Sequence, residues 1–148
     1  MLEYVLPGEI EKRSFEIIGE ELAGRGIQLP EAEEAVTKRV IHTSADFEYA
    51  RTMCYSEDAV EKARELIRNG AHIVTDTNMA LAGINKKMLA RFGGEVHCFM
   101  SDPDVAEEAR ERGVTRAMVS MEKAARMEKP FIFAIGNAPT ALIRIREL

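Results

Sequence analysis

Tryptophan is absent, aromatic residues are 6% of the chain, and only two cysteines and five prolines occur among 148 residues. Cys54 and Cys98 are too few for a disulfide framework and lack metal-ligand spacing. They read instead as small buried apolar groups. No apolar run approaches the roughly 20 residues of a membrane-spanning helix. The opening MLEYVLPGEIEKRSF lacks the basic start and apolar stretch of a signal peptide, so the expected location is the cytoplasm. Prolines and glycines are scattered as punctuation, and no repeat or low-complexity segment interrupts the chain. Residues 1–148 therefore read as a single domain. Basic residues are also in deficit, 20 against 25 acidic, for a net charge of −5. That balance argues against nucleic acid as the main partner. An anionic small molecule remains compatible with it, provided a few arginines are focused into one cleft.

What is present is a regular alternation of elements. With 46% hydrophobic and 30% charged residues, the composition is that of a globular core-forming chain. A first helix is expected over residues 8–24, with Ile10, Ser14, Ile17, Ile18 and Leu22 on one face and Gly24 and Gly26 ending it. Pro30 opens a second helix. Glu31, Glu33 and Glu34 load its first turn, Ala32, Ala35, Val36 and Val40 form its apolar stripe, and His42 lies at its end. Alternating aromatics predict a strand over Phe47–Tyr55. Next come a helix over 57–69 capped by Ser56, a buried strand at Ala71–Thr75, and one helix from about Asp76 to Arg91. Gly93 and Gly94 turn the chain into a strand at Glu95–Met100. A helix from Asp102 or Asp104 to Arg112 is ended by Gly113, and Thr115 opens another that runs to about Met127. The apolar strand Pro130–Ile135 and a last helix after Asn137 complete the series. Strands alternating with helices predict an α/β fold, a three-layer α/β/α arrangement with a mostly parallel sheet. Ligands in such folds bind beyond the carboxyl ends of the strands, here Thr75–Asn78, Met100–Asp104 and Gly136–Thr140.

The usual signatures of nucleotide, zinc and serine-hydrolase sites are missing: no G-x-G-x-x-G after a strand, no P-loop, no H-E-x-x-H, no paired C-x-x-C, no G-x-S-x-G. Local features remain. Ile135–Leu142 joins a buried strand to a helix. Gly136 there is expected to allow close backbone approach, Pro139 suits a first helical turn, and free N–H groups could hold a carboxylate or phosphate. An imidazole titrates near about 6.5, so His42 is a candidate acid or base, although helix-end histidines are common without catalysis. His72 and His97 lie inside strand patterns and read as core or sheet residues. No metal site is expected among the three histidines. Arg13 beside Ser14, and Arg116 at a helix start, make sense if an anion shares their site, although a lone charged residue is more often simply solvated. The eight methionines are spread out and read as core filler.

Several segments then fall in one order: Arg13-Ser14-Phe15-Glu16-Ile17-Ile18, Arg39-Val40-Ile41-His42-Thr43, Ala45-Asp46-Phe47, Asp76-Thr77-Asn78-Met79 with Gly83-Ile84, Thr115-Arg116, and Ile135-Gly136-Asn137-Ala138-Pro139-Thr140-Ala141-Leu142. Together, over essentially the whole chain, they resemble the precorrin-8X methylmutase (cobalt-precorrin-8 methylmutase) family of cobalamin biosynthesis. The I-G-N-A-P-T-A-L and V-I-H segments are the most specific. The resemblance implies an isomerase that moves a methyl group from carbon 11 to carbon 12 of the corrin ring and consumes no cofactor. It places the catalytic histidine at His42. Substrate contacts fall on Ser14, Arg13, Arg116, Thr115, Gly83, Ile84, Asn137, Ala138 and Thr140. A homodimer with its sites near the subunit interface is implied as well. A ring fringed with carboxylates calls for arginine forks, helix N-termini and an apolar floor, which agrees with the residue-level reading. Members continue past the position of Leu148 with glycine-rich segments, so the chain is expected to be incomplete at its C-terminus. Two other readings remain open: a corrinoid-binding module without catalysis, and an α/β domain that takes another anionic metabolite at Gly136–Thr140.

Overall fold

A computed structural model describes residues 6–148. The signal-peptide reading falls partly on Met1–Val5, outside the described residues. The chain divides into two compact units, Met1–Lys62 and Ala63–Leu148.

In the first unit a 3-10 turn, Pro7–Glu9, leads into α1 (Ile10–Gly24), and α2 (Glu31–Ser44) follows Pro30. The two helices form a hairpin whose buried seam is Ile18 and Leu22 from α1 and Ile41 from α2, closed by Ile27, Leu29, Phe47 and Ala50. Burying a side chain such as Ile41, 1% exposed, stabilises the pairing by about 2 kcal/mol. Two expected faces are corrected. Ile10 and Ile17 are half exposed on α1. On α2 the buried residues are Thr37 and Ile41, while Ala32, Ala35 and Val36 lie open to solvent. The true seam sits one residue, about 100°, round the helix from the expected stripe. Thr37 tolerates its place there because its hydroxyl and that of Tyr55 hydrogen-bond at 2.8 Å.

The expected strand Phe47–Tyr55 is a turn and a short helix, α3 (Tyr49–Thr52). Local side-chain bonds override the aromatic alternation. Ala45 takes the left-handed conformation at φ 57°, and Asp46 Oδ1 accepts the Glu48 N–H at 2.9 Å. The Thr52 hydroxyl then donates to the Glu48 carbonyl at 3.0 Å.

α4 (Ala59–Arg68) starts later than expected because Asp58 has φ 56°. The second unit is built on β1 (His72–Thr75), β2 (Val96–His97) and β3 (Phe131–Ala134). These three are parallel in the order β2-β1-β3, so the α/β class and parallel sheet are as expected. Gly70, at φ 82°, and Gly94 set the start of β1 and β2. A Cβ on Gly70 would lie 2.9 Å from the Phe92 carbonyl, and one on Gly94 would run into the Ala71 carbonyl. Two expected elements are shorter. The helix from 76 to 91 is broken into α5 (Asn78–Gly83) and α6 (Lys86–Ala90), because Ile84 is extended and Asn85 caps anew by accepting the Met88 N–H at 3.0 Å. The strand at Glu95–Met100 ends after His97, and the Asp102 N–H already turns back to the Phe99 carbonyl at 3.1 Å.

α7 (Pro103–Arg112), α8 (Arg116–Ala125) and α9 (Pro139–Glu147) complete the unit. Val74 of β1 packs with Ala117, Met121 and Ala124 of α8 and Ala141 of α9, and Phe131 and Phe133 of β3 border them. Val105 and Ala109 of α7 pack on Val119 of α8. Among the described residues no helix is long and apolar enough to cross a membrane.

Candidate functional site

Along α1 the positions Ser14, Ile18 and Leu22 form one row at spacing of four, so the apolar seam runs out at Ser14. The partner helix of an antiparallel hairpin presents its C-terminal turn at that end, and there α2 carries His42. The Ser14 Oγ and His42 Nδ1 are 2.7 Å apart. Phe15 meets the His42 ring edge-on, with centroids 6.0 Å apart, and Arg39 lies over Phe15 at 5.4 Å while pairing with Glu11. Arg13 is ion-paired with Glu16 at 3.3 Å. Three expected site residues, Arg13, Ser14 and His42, are therefore gathered at one end of the helical hairpin. His42 is exposed, and its second ring nitrogen, Nε2, takes no hydrogen bond among the described residues.

This geometry ties Nδ1 to the serine and leaves Nε2 facing outward. A serine hydroxyl both donates and accepts. When it donates to Nδ1, the neutral ring carries its proton on Nε2. When the ring is charged, Nδ1–H donates to Oγ and Nε2 again carries a proton. When the neutral ring keeps its proton on Nδ1 and donates to Oγ, Nε2 is instead an acceptor, so the outward nitrogen is a donor in the first two states and an acceptor in the third. The same bond fixes the ring's orientation. A hollow of about 290 Å³ lined by Val36, Arg39, Val40, Thr43, Ser44 and Tyr49 lies along the same helix.

The second unit assembles its candidates at the carboxyl ends of its strands. Thr115 caps α8 by accepting the Met118 N–H at 3.3 Å, and its hydroxyl donates to that of Thr140 at 2.9 Å. Two helix starts are thereby tied together. Arg116, in the first turn of α8, is exposed and lines a hollow of about 590 Å³ with Arg110, Glu107 and Pro103. Asn78 Nδ2 donates to the Ser101 hydroxyl at 3.1 Å. Gly83 and Ile84 end α5, the first exposed and the second half buried.

Asp76 changes the reading of the turn before α9. Its carboxylate accepts the N–H groups of Gly136 at 3.0 Å and of Asn137 and Ala138 at 2.8 Å each. The free amides expected to hold an external anion already hold an internal one. Burial works against the Asp76 charge, and the three backbone donors outweigh it, leaving the carboxyl below its ordinary 3.8. Gly136 is not required by crowding either, since a Cβ there would meet open space. The Thr140 hydroxyl, already accepting from Thr115, can still donate.

Sequence reasoning passed over Asp76, Arg39 and Phe15 as site-forming residues. The signal for Asp76 was its place directly after a buried strand, one residue before the chain must turn. Nothing local pointed to its partners sixty residues away.

Residues 9–148 match the family model described as precorrin-8X methylmutase. The cobalt-precorrin-8 methylmutase of Salmonella typhimurium is 45% identical over 145 residues, covering 95% of this chain and 69% of that protein. That of Priestia megaterium is 43% identical, covering 97% of this chain and 63% of that protein. The chain thus spans about two thirds of the length of these relatives. Among solved structures, precorrin-8X methylmutase from Thermus thermophilus is 35% identical with a TM-score of 0.81, over 93% of this chain and 66% of that one.

Proposed function

This chain belongs to the precorrin-8X methylmutase family, and on that premise we propose that it takes part in cobalamin biosynthesis as an isomerase. The methyl group at carbon 11 of precorrin-8X, or of its cobalt form, moves to carbon 12 to give hydrogenobyrinate or the cobalt counterpart. Atoms balance within the ring, and no cofactor is consumed.

The observation that carries this reading is the 2.7 Å contact between Ser14 and His42 in a chain of this family. His42 Nε2–H protonates, or donates to, the ring nitrogen beside the migrating methyl, which makes the ring electron-poor and eases the shift. That is general acid catalysis with electrostatic stabilisation. Ser14 orients the ring through Nδ1, and by donating to Nδ1 it favours the tautomer with its proton on Nε2. Arg13 and Arg116 supply guanidinium forks for peripheral carboxylates. Thr115, Thr140 and Asn137 offer neutral hydrogen bonds, and Gly83, Ile84 and Ala138 offer close or apolar surface. The active species is a homodimer working in the cytoplasm.

Incubation of the chain with precorrin-8, followed by visible absorption, tests the reaction, and titration with the corrin product tests binding. Turnover together with product binding is the expected result. Binding without turnover would replace the isomerase by a corrinoid-binding module. Absence of both would point to a different anionic ligand.

A further inference from the structure

Outside this machinery, the strand pairing of the second unit assembles a donor set that residue spacing does not reveal. β1 and β2 run parallel with Ile73 opposite Val96 and Val74 opposite His97. One step back in the same register places Glu95 opposite His72, and the Ile73 N–H donates to the Glu95 carbonyl at 2.8 Å. Side chains two apart share a sheet face, so His72, Glu95 and His97 lie together. His72 Nδ1 and His97 Nε2 are 2.6 Å apart, and Glu95 Oε2 is 3.9 Å from that same Nε2. One donor atom from each residue falls within 4.8 Å of the others.

From this placement we propose that His72, His97 and Glu95 form a binding site for a divalent transition-metal ion of the zinc class. Two imidazoles and a carboxylate, with further positions left to water, are a donor set such ions favour. Nitrogens on one tetrahedral ion at ~2.05 Å stand roughly 3.3 Å apart. The two rings therefore open by about 0.7 Å, and the carboxylate closes by a little less. Access runs past Glu95, whose side chain is 69% exposed, and His97, at 24%.

The other face of the His72 ring is closed off from solvent. His72 is 5% exposed, yet its Nε2 is buried and takes no hydrogen bond among the described residues. The ring is held on one side only, by a proton shared with His97. The ion takes the place of that proton, which moves to the far nitrogen of one ring, so no net proton is released from the neutral pair. The metal–nitrogen bond is made at Nδ1, and the buried Nε2 carries the proton without an acceptor among the described residues. Burial, the neighbouring His97 and then Lys129 keep His72 from charging, and Glu95 acts the other way. Lys129 is a nearby positive charge that opposes a cation.

The test is calorimetric titration of the chelator-treated chain with Zn²⁺ alone, paired with NMR of the imidazole nitrogens. One ion per chain is expected, with shifts in the His72 and His97 ring signals. His97→Ala and Glu95→Gln, both at solvent-accessible positions, should each weaken binding at least about tenfold. Absence of Zn²⁺ binding by the wild-type chain would overturn the site. So would undiminished binding in His97→Ala, or ring shifts confined to His42. Because the wild-type NMR signals report directly, a variant that failed to fold would not decide the matter.

Discussion

Two side chains, His42 and Asp76, are each held by a bond to a distant part of its own unit. His42 is exposed, and its ring is oriented by the 2.7 Å contact with Ser14. Asp76 is 1% exposed and carries its charge there only because three amides point at it. Its carboxyl is held below the ordinary value, so the stabilisation it gives is complete above the usual carboxylate range. It is lost as pH falls through the lowered pKa. Asp76→Asn, which replaces the charged acceptor by one amide oxygen, should destabilise the fold by about 2 kcal/mol at neutral pH. It should also flatten the acid side of the stability profile, as urea titrations from pH 7 down to pH 3 would show. An unchanged profile would mean that the amides find another partner.

At the scale of elements, the second unit is clamped through one buried carboxylate. Glu122 of α8 takes Arg112 of α7 in a two-pronged bond at 2.6 and 2.9 Å, and Arg144 Nε of α9 at 2.9 Å. Arg112 also binds Glu108, and Arg144 binds Glu147. The bonds from Arg112 hold the Glu122 carboxyl below its ordinary 4.5, against the effect of burial. Glu122→Gln should cost about 2 kcal/mol, less than a fully buried pair because both arginines keep part of their hydration. Thermal unfolding would show a lower midpoint, and an unchanged midpoint would mean the three helices are held by Val105, Val119 and Met121 alone. The helices joined by this clamp were legible in the sequence, since Asp102, Gly113, Thr115 and Pro139 mark their ends. The clamp was not, because Glu122 sits in a helical stripe like any other charged residue. Phe47–Tyr55 was misread for a related reason: its local turn bonds, from Asp46 and Thr52, outweigh a two-residue alternation. The parallel sheet was predicted from alternation alone. The pairing of His72 with His97 required the strand register.

For the whole molecule, a net charge of −5 coexists with the proposal of a polyanionic ligand. The two are compatible if placed arginines and proton donors, rather than overall charge, hold the ring. The family was legible because the V-I-H and I-G-N-A-P-T-A-L segments are specific. The commitment of the amides before α9 to Asp76 was hidden, since nothing local marks a carboxylate sixty residues upstream as their acceptor. As a homodimer the protein should sediment at twice its 16.5 kDa chain mass, and a species at the chain mass at assay concentration would contradict that proposal. The central claim, that His42 acts as the acid of a methyl shift, meets its most direct test in turnover of precorrin-8 by His42→Ala, measured beside its binding of the corrin product. The account predicts product binding close to wild type and turnover reduced at least about 100-fold, and full turnover in the variant would contradict it.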